Sequence, residues 1–231
     1  PHGIARWGDS GHNQSTFSPI SAPDSMLARR FLTHGFTPDA PSRGNGVAQG
    51  DTIAAMFWDG VAQRGSKVAL RQKQFGIWRA TSWNELGQAA SEVGLGLISL
   101  GFEPGEVISI LANTSREWMM ADLGGHVAGG VVNGIYPTDS SAQVEYLCAD
   151  SSTVYLFVED EEQLDKALEV RGRLSALRKI IVFDMEGLRE LNDPQIISFE
   201  SLCERGRSHQ SANPNLLRER SRARLPDDVA I

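Results

Sequence analysis

Several clusters in this chain hold residue types that do chemistry in other settings. Gly8-Asp9-Ser10-Gly11 matches the loop that carries the nucleophilic serine of trypsin-like proteases. That chemistry also needs barrel strands and ordered His and Asp partners, which the surrounding sequence lacks, so chance accounts for the match. Gly94-x-Gly96 begins like a dinucleotide fingerprint, but Ser99 stands where the third glycine belongs. It also sits inside a helical pattern instead of after a strand, and helix packing explains it better. The stretch Gly124-Gly125-His126-Val127-Ala128-Gly129-Gly130 has the glycine content of a phosphate cradle. It falls at the end of a helical pattern, where the dipole is negative and repels anions.

His126 is the one histidine inside the periodic region, and no cysteine or carboxylate stands at ligand spacing from it, so it reads as a packed or surface histidine. Glu159-Asp160-Glu161-Glu162 has the charge to hold a cation. Placed after a strand and just before a helix, it is explained by favourable negative charge at a helix N-terminus. Neither a catalytic residue nor a metal ligand emerges from these clusters. Two loops remain, Asn113-Thr114-Ser115 and Tyr136-Pro137-Thr138-Asp139, beyond the carboxyl ends of predicted strands, where open parallel sheets bind ligands. Both also serve as ordinary helix caps.

The elements that must position these loops follow from periodicity. Thr52 is placed to cap a helix carrying Ile53, Met56, Phe57 and Val61. A hairpin follows, with strands 68–73 and 77–81 joined around Phe75-Gly76, and Trp78 is expected to pack on one face. Ser82-x-x-Glu85 is a capping box for a helix with Trp83, Leu86, Ala90, Val93, Leu97 and Leu100, closed by Gly101. Gly87 and Gly94, seven apart, suggest that this helix lies close against a sheet.

Four short apolar strands, 107–111, 131–135, 154–158 and 179–183, then recur with helical patterns between them. Strands buried on both faces with crossovers of that length specify an α/β fold: a doubly wound, mostly parallel sheet with flanking helices, plus the small hairpin. The first crossover helix is expected to begin with a capping box at Thr114-x-x-Glu117. The second is expected near Thr138 to Ser141, and the third carries Ala167, Val170, Leu174 and Leu177.

Composition bounds the partners. The 231 residues carry 22 basic and 29 acidic side chains, a net charge of −7, which argues against nucleic acid as a partner. Cys148 and Cys203 fit neither a disulfide framework nor a C-x-x-C metal site, and no apolar run reaches transmembrane length. A cytoplasmic location is therefore expected. Three regions are anticipated: a loose N-terminal extension over residues 1–50, an α/β subdomain over 51–205, and a linker over 206–231 ending at the start of a further strand. That last expectation rests on Pro226-Asp227-Asp228, a turn signal, leading into Val229-Ala230-Ile231, where the chain stops.

Three segments taken together resemble one family: Phe75-Gly76-Ile77-Trp78-Arg79 followed by Thr81-Ser82-Trp83, then Gly129 through Thr138, then Phe157 through Lys166. They are similar to the N-terminal portion of AMP-forming acyl-CoA synthetases, nearest to the long-chain fatty acid branch. The resemblance implies that the chain is the N-terminal subdomain of a larger ligase. That enzyme would join a fatty acid to coenzyme A at the expense of ATP, with Mg2+ beside the phosphates. It implies that Tyr136, Pro137 and Thr138 face substrate, and it leaves a homodimer and peripheral membrane contact open. The phosphate-binding loop and C-terminal lid of such enzymes are not in this sequence, so the chain alone is expected to be inactive, with an uncovered apolar sheet face. The competing expectation is a free-standing, non-catalytic α/β binding or interaction module.

Overall fold

The computed structural model describes residues 52–188, 190–213 and 215–231. The extension over 1–50, including Gly8-Asp9-Ser10-Gly11, lies outside the described residues.

The first helix, α1 (Ile53–Arg64), starts where Thr52 Oγ1 accepts the Ala55 N–H at 3.2 Å. Strands β1 (Val68–Gln74) and β2 (Ile77–Ser82) form an antiparallel hairpin around Phe75 and Gly76, whose φ values are +48° and +80°. Positive φ at both central residues is the signature of a tight hairpin turn that matches strand twist. Glycine takes this conformation freely, whereas for phenylalanine it costs about 1–2 kcal/mol. Trp78 does not pack: it lies opposite Lys73 in a two-stranded ribbon and stays 66% exposed.

Helix α2 (Trp83–Ser99) has the reciprocal capping box read from Ser82 and Glu85. Its glycines meet other helices instead of a sheet. A Cβ on Gly87 would press on Val61 of α1 at 3.1 Å. On Gly94 it would reach the Gly124 carbonyl oxygen at 3.0 Å, and on Gly96 it would overlap the Leu202 carbonyl. The Gly94-x-Gly96 pair is thus where two neighbouring helix backbones come close.

Strands β3 (Val107–Leu111), β4 (Val131–Ile135), β5 (Tyr155–Val158), β6 (Lys179–Val182) and β7 (Ile196–Ser198) form one parallel sheet in the order β4-β3-β5-β6-β7. Between them run α3 (Arg116–Val127), α4 (Ser141–Asp150) and α5 (Glu161–Val170), followed after β7 by α6 (Phe199–Ala212) and α7 (Leu216–Ala223). The period-2 alternation of a strand sends successive residues to opposite faces. Ile108, Ile110, Tyr155, Phe157 and Ile181 enter the core shared with α1, α2, α3, α6 and α7. Leu111, Leu156, Val158, Ile180 and Val182 enter a second core with α4 and α5. Both faces are covered, so the uncovered apolar face expected from the sequence is absent from the described sheet.

Three further details depart from expectation. The first crossover helix is capped by Ser115, whose Oγ accepts from Trp118 N at 3.1 Å. Ser115 is the extended residue directly before the first helical turn, and Thr114 stands one place too early. The helical run through Ala167 and Val170 ends there, and Leu174 and Leu177 follow a 3-10 turn at Arg171–Arg173. Beyond Phe183 the sequence signal fades, yet β7 extends the sheet and α6 packs firmly on α2. Gly206 makes this contact: any Cβ there would overlap the Glu92 carbonyl. Residues 206–223 therefore belong largely to α6 and α7, where Ser221 Oγ donates to the Val127 carbonyl at 2.9 Å. The terminal segment forms no strand, and Val132 N of edge strand β4 donates to the Ala230 carbonyl at 3.0 Å.

Candidate functional site

The chain leaves β3 to form β4 on one side, then returns to place β5 on the other side of β3. Loops leaving β3 and β5 therefore diverge, which opens a crevice beyond their carboxyl ends, the place where open parallel sheets take ligands. Helices α3, α4 and α5 begin at this edge, and the carboxylates of Glu159, Asp160, Glu161 and Glu162 offset the positive N-terminal dipole of α5 there. Each is internally capped: Ser115 caps α3, Ser140 with Gln143 forms a capping box on α4, and Asp160 accepts from Gln163 N on α5.

Glu159 spans the crevice. Its Oε2 accepts from Asn113 N at 2.7 Å and from Asn113 Nδ2 at 2.9 Å, tying the loop after β5 to the loop after β3. The hairpin reaches the same edge, because Gln72 Oε1 accepts the first helical N–H of α3, from Arg116, at 3.0 Å.

The loop after β4 holds the three residues expected to face substrate. Tyr136 is 76% exposed, and its carbonyl closes a turn by accepting from Asp139 N at 3.0 Å. The Pro137 carbonyl accepts from Lys166 Nζ at 2.6 Å, and that lysine also reaches Gln163 Oε1 at 3.0 Å. Thr138 is exposed. The loop is thus propped from α5 while the tyrosine ring faces outward. Neither the Lys166 prop nor the Glu159 strut was assigned from sequence. The one available signal was that both fall within the Phe157–Lys166 segment that carries the family resemblance.

The remaining clusters lie away from this edge or are already engaged. His126 is buried near the C-terminus of α3, at the opposite end of the sheet, with Nε2 3.5 Å from Asp122 Oδ1. The glycines around it serve packing: a Cβ on Gly125 would press on Ile108 at 2.6 Å, and one on Gly130 would overlap Phe102. In the acidic run, Glu159 holds Asn113, Asp160 caps α5, and Glu162 lies 3.6 Å from Lys166. Among the described residues no group of three His, Cys, Asp or Glu side chains is arranged to hold a metal ion. A preformed all-protein cation cage is therefore absent among the described residues. The edge presents the exposed Tyr136 ring and the exposed Thr138 beside the ends of buried strands.

Comparison with known proteins agrees with this geometry. The chain is 32% identical over 156 residues to the long-chain-fatty-acid–CoA ligase ACSBG2 of Xenopus laevis, covering 68% of this chain and 21% of that protein. It is 30% identical over 186 residues to the ACSBG2 ligase of Homo sapiens, covering 80% of this chain and 26% of that protein. The chain thus spans about a fifth to a quarter of the length of these relatives. The crystal structure of the anthranilate CoA ligase AuaEII in complex with anthranoyl-AMP superposes with a TM-score of 0.58 at 24% identity, covering 66% of this chain and 28% of that one. That likeness shows a shared fold. The family model described as AMP-binding enzyme matches residues 57–230, and the chain belongs to that family.

Proposed function

We propose that this chain is the N-terminal portion of a long-chain fatty acid CoA ligase. The observation that carries the reading is the identity to ligases of that class, 32% over 156 residues and 30% over 186 residues. In the proposed reaction a fatty carboxylate attacks the α-phosphorus of ATP, forming an acyl-adenylate and releasing pyrophosphate. The coenzyme A thiol then displaces AMP. The first step turns a poor electrophile into one with a good leaving group. Mg2+ would enter bound to the phosphates of ATP.

This portion contributes the floor and one wall of the site. Tyr136, Pro137 and Thr138 are proposed to face substrate, with Lys166 holding their loop and Glu159 fixing the crevice. No bond-making role falls to residues 52–231, and the chain alone is proposed to be inactive. The proposed division is an N-terminal extension over residues 1–50 and an α/β subdomain from residue 51 that includes the packed helices α6 and α7. The chain is also proposed to act in the cytoplasm and to form a homodimer.

The test compares fatty-acid-dependent pyrophosphate release from the 231-residue chain and from the same chain continued to the length of its relatives. Release from the longer protein alone is the expected result. Release from the short chain would overturn its proposed inactivity. Absence of release from both, with fatty acids of several lengths, would overturn the ligase reading.

A further inference from the structure

The β1–β2 hairpin combines three observations that the ligase reading does not use. Its tip is exposed and apolar: Phe75 is 97% exposed, Trp78 66% and Ile77 59%. Its strands carry Arg71, Lys73 and Arg79, and no acidic residue occurs from Gly60 through Asn84, in a chain whose net charge is −7. None of these three cations forms an ion pair among the described residues. Finally, Phe75 occupies a left-handed backbone conformation with φ +48°. A bulky residue is uncommon there, and asparagine or glycine would suit this turn position better. Strain of this kind, kept at an exposed position, points to a use for the side chain.

We propose that the hairpin is a membrane-interface contact. Phe75 would enter the headgroup and acyl boundary of an anionic lipid surface with Ile77 and Trp78 flanking it, while Arg71 and Lys73, on the ribbon face shared with Trp78, meet lipid phosphates and Arg79 adds positive charge from the opposite face. Aromatic side chains favour that boundary, and basic residues near it are drawn to an anionic leaflet. Charge complementarity selects this occupant: a locally basic apolar tip on an acidic protein is attracted to a negative surface and repelled by a second copy of itself. The aromatic placement favours lipid over nucleic acid, because Phe75 stands at the apex, where it inserts, instead of forming a flat row for base stacking. Through Gln72 and Arg116 the hairpin is joined to the carboxyl edge of the sheet, so a docked surface would lie beside the candidate site.

The test is co-sedimentation of the 231-residue chain with phosphatidylcholine vesicles, with and without phosphatidylserine. It requires neither ATP nor fatty acid, so its outcome is separate from that of the ligase assay. Binding is expected only with the anionic lipid and is expected to fall at high salt. Phe75→Asn is expected to lower partitioning about tenfold, from loss of the buried ring, while holding or raising the melting temperature because asparagine suits the turn. Arg71→Gln and Lys73→Gln should each lower it about fivefold. Equal binding to neutral vesicles, or unchanged binding by a folded Phe75→Asn protein, overturns the proposal. So does a single-stranded oligonucleotide bound as tightly as the vesicles, or self-association that vanishes with Phe75→Asn.

Discussion

Glu159 and Asn113 are joined twice at the point where the sheet's winding reverses, by bonds of 2.7 and 2.9 Å from the asparagine main chain and side chain to one carboxylate oxygen. The pair holds the loops after β3 and β5 at a fixed separation. Glu159→Ala is expected to cost about 1 kcal/mol, the contribution of an ordinary hydrogen bond, because the pair is partly solvated. The melting temperature should fall by roughly 2–4 °C. Thermal unfolding followed by circular dichroism checks it, and an unchanged value would show that the strut contributes nothing.

Lys166 and Tyr136 separate support from contact. Tyr136→Ala removes a largely exposed ring and should change stability by less than about 0.5 kcal/mol. In the protein of full relative length it should nonetheless lower pyrophosphate release. Lys166→Met frees the Pro137 carbonyl and should lower release as well, with a rise in local amide exchange across 136–139 that Tyr136→Ala does not produce.

Gly206→Ala and Gly172→Ala form a contrasting pair. The first would drive a methyl group into the Glu92 carbonyl across the α2–α6 contact. It should cost about 3 kcal/mol, the upper end for overpacking. The second meets nothing within 4 Å and has no positive φ. It should be neutral or stabilising by up to about 1 kcal/mol. Urea denaturation of both variants measures the difference.

Acid should weaken the start of α2. Main-chain and then hydroxyl hydrogen bonds from Ser82 hold the Glu85 carboxyl below its ordinary value of 4.5. A carboxyl whose folded value is lowered adds stability above its unfolded value and loses it as pH falls through the folded one. Glu85→Gln should therefore melt lower than the parent at pH 7, with the gap closing as pH falls below 4.5. A gap that is constant with pH would assign the effect to shape instead of charge.

The cysteines should be silent while the protein is folded. Burial pushes Cys148 up to about 11 and Cys203 up to about 12, so neither is a thiolate near neutrality. A thiol reagent at pH 8 should label neither residue in native buffer and both in denaturant. Rapid native labelling of Cys148 would mean that α4 opens readily from the sheet.

The sequence by itself determined the parallel sheet, because Val107–Leu111 and Tyr155–Val158 are short apolar runs that fit strands buried on both faces. It also determined the start of α2, since Ser82 and Glu85 complete a cap without help from the rest of the chain. These signals are local, and a single segment carries each of them. Tertiary structure decided what depends on neighbours distant in sequence. Ile196–Ser198 is a strand only because β6 offers it an edge, and 199–223 is helical packing because Gly206 lets α6 approach Glu92. The same holds at the candidate site. The loops at 113–115 and 136–138 were legible as strand ends, but the bonds from Glu159 and Lys166 that fix them cross 46 and 29 positions of chain. Periodicity has no memory over such spans, and only the winding of the sheet brings those residues together.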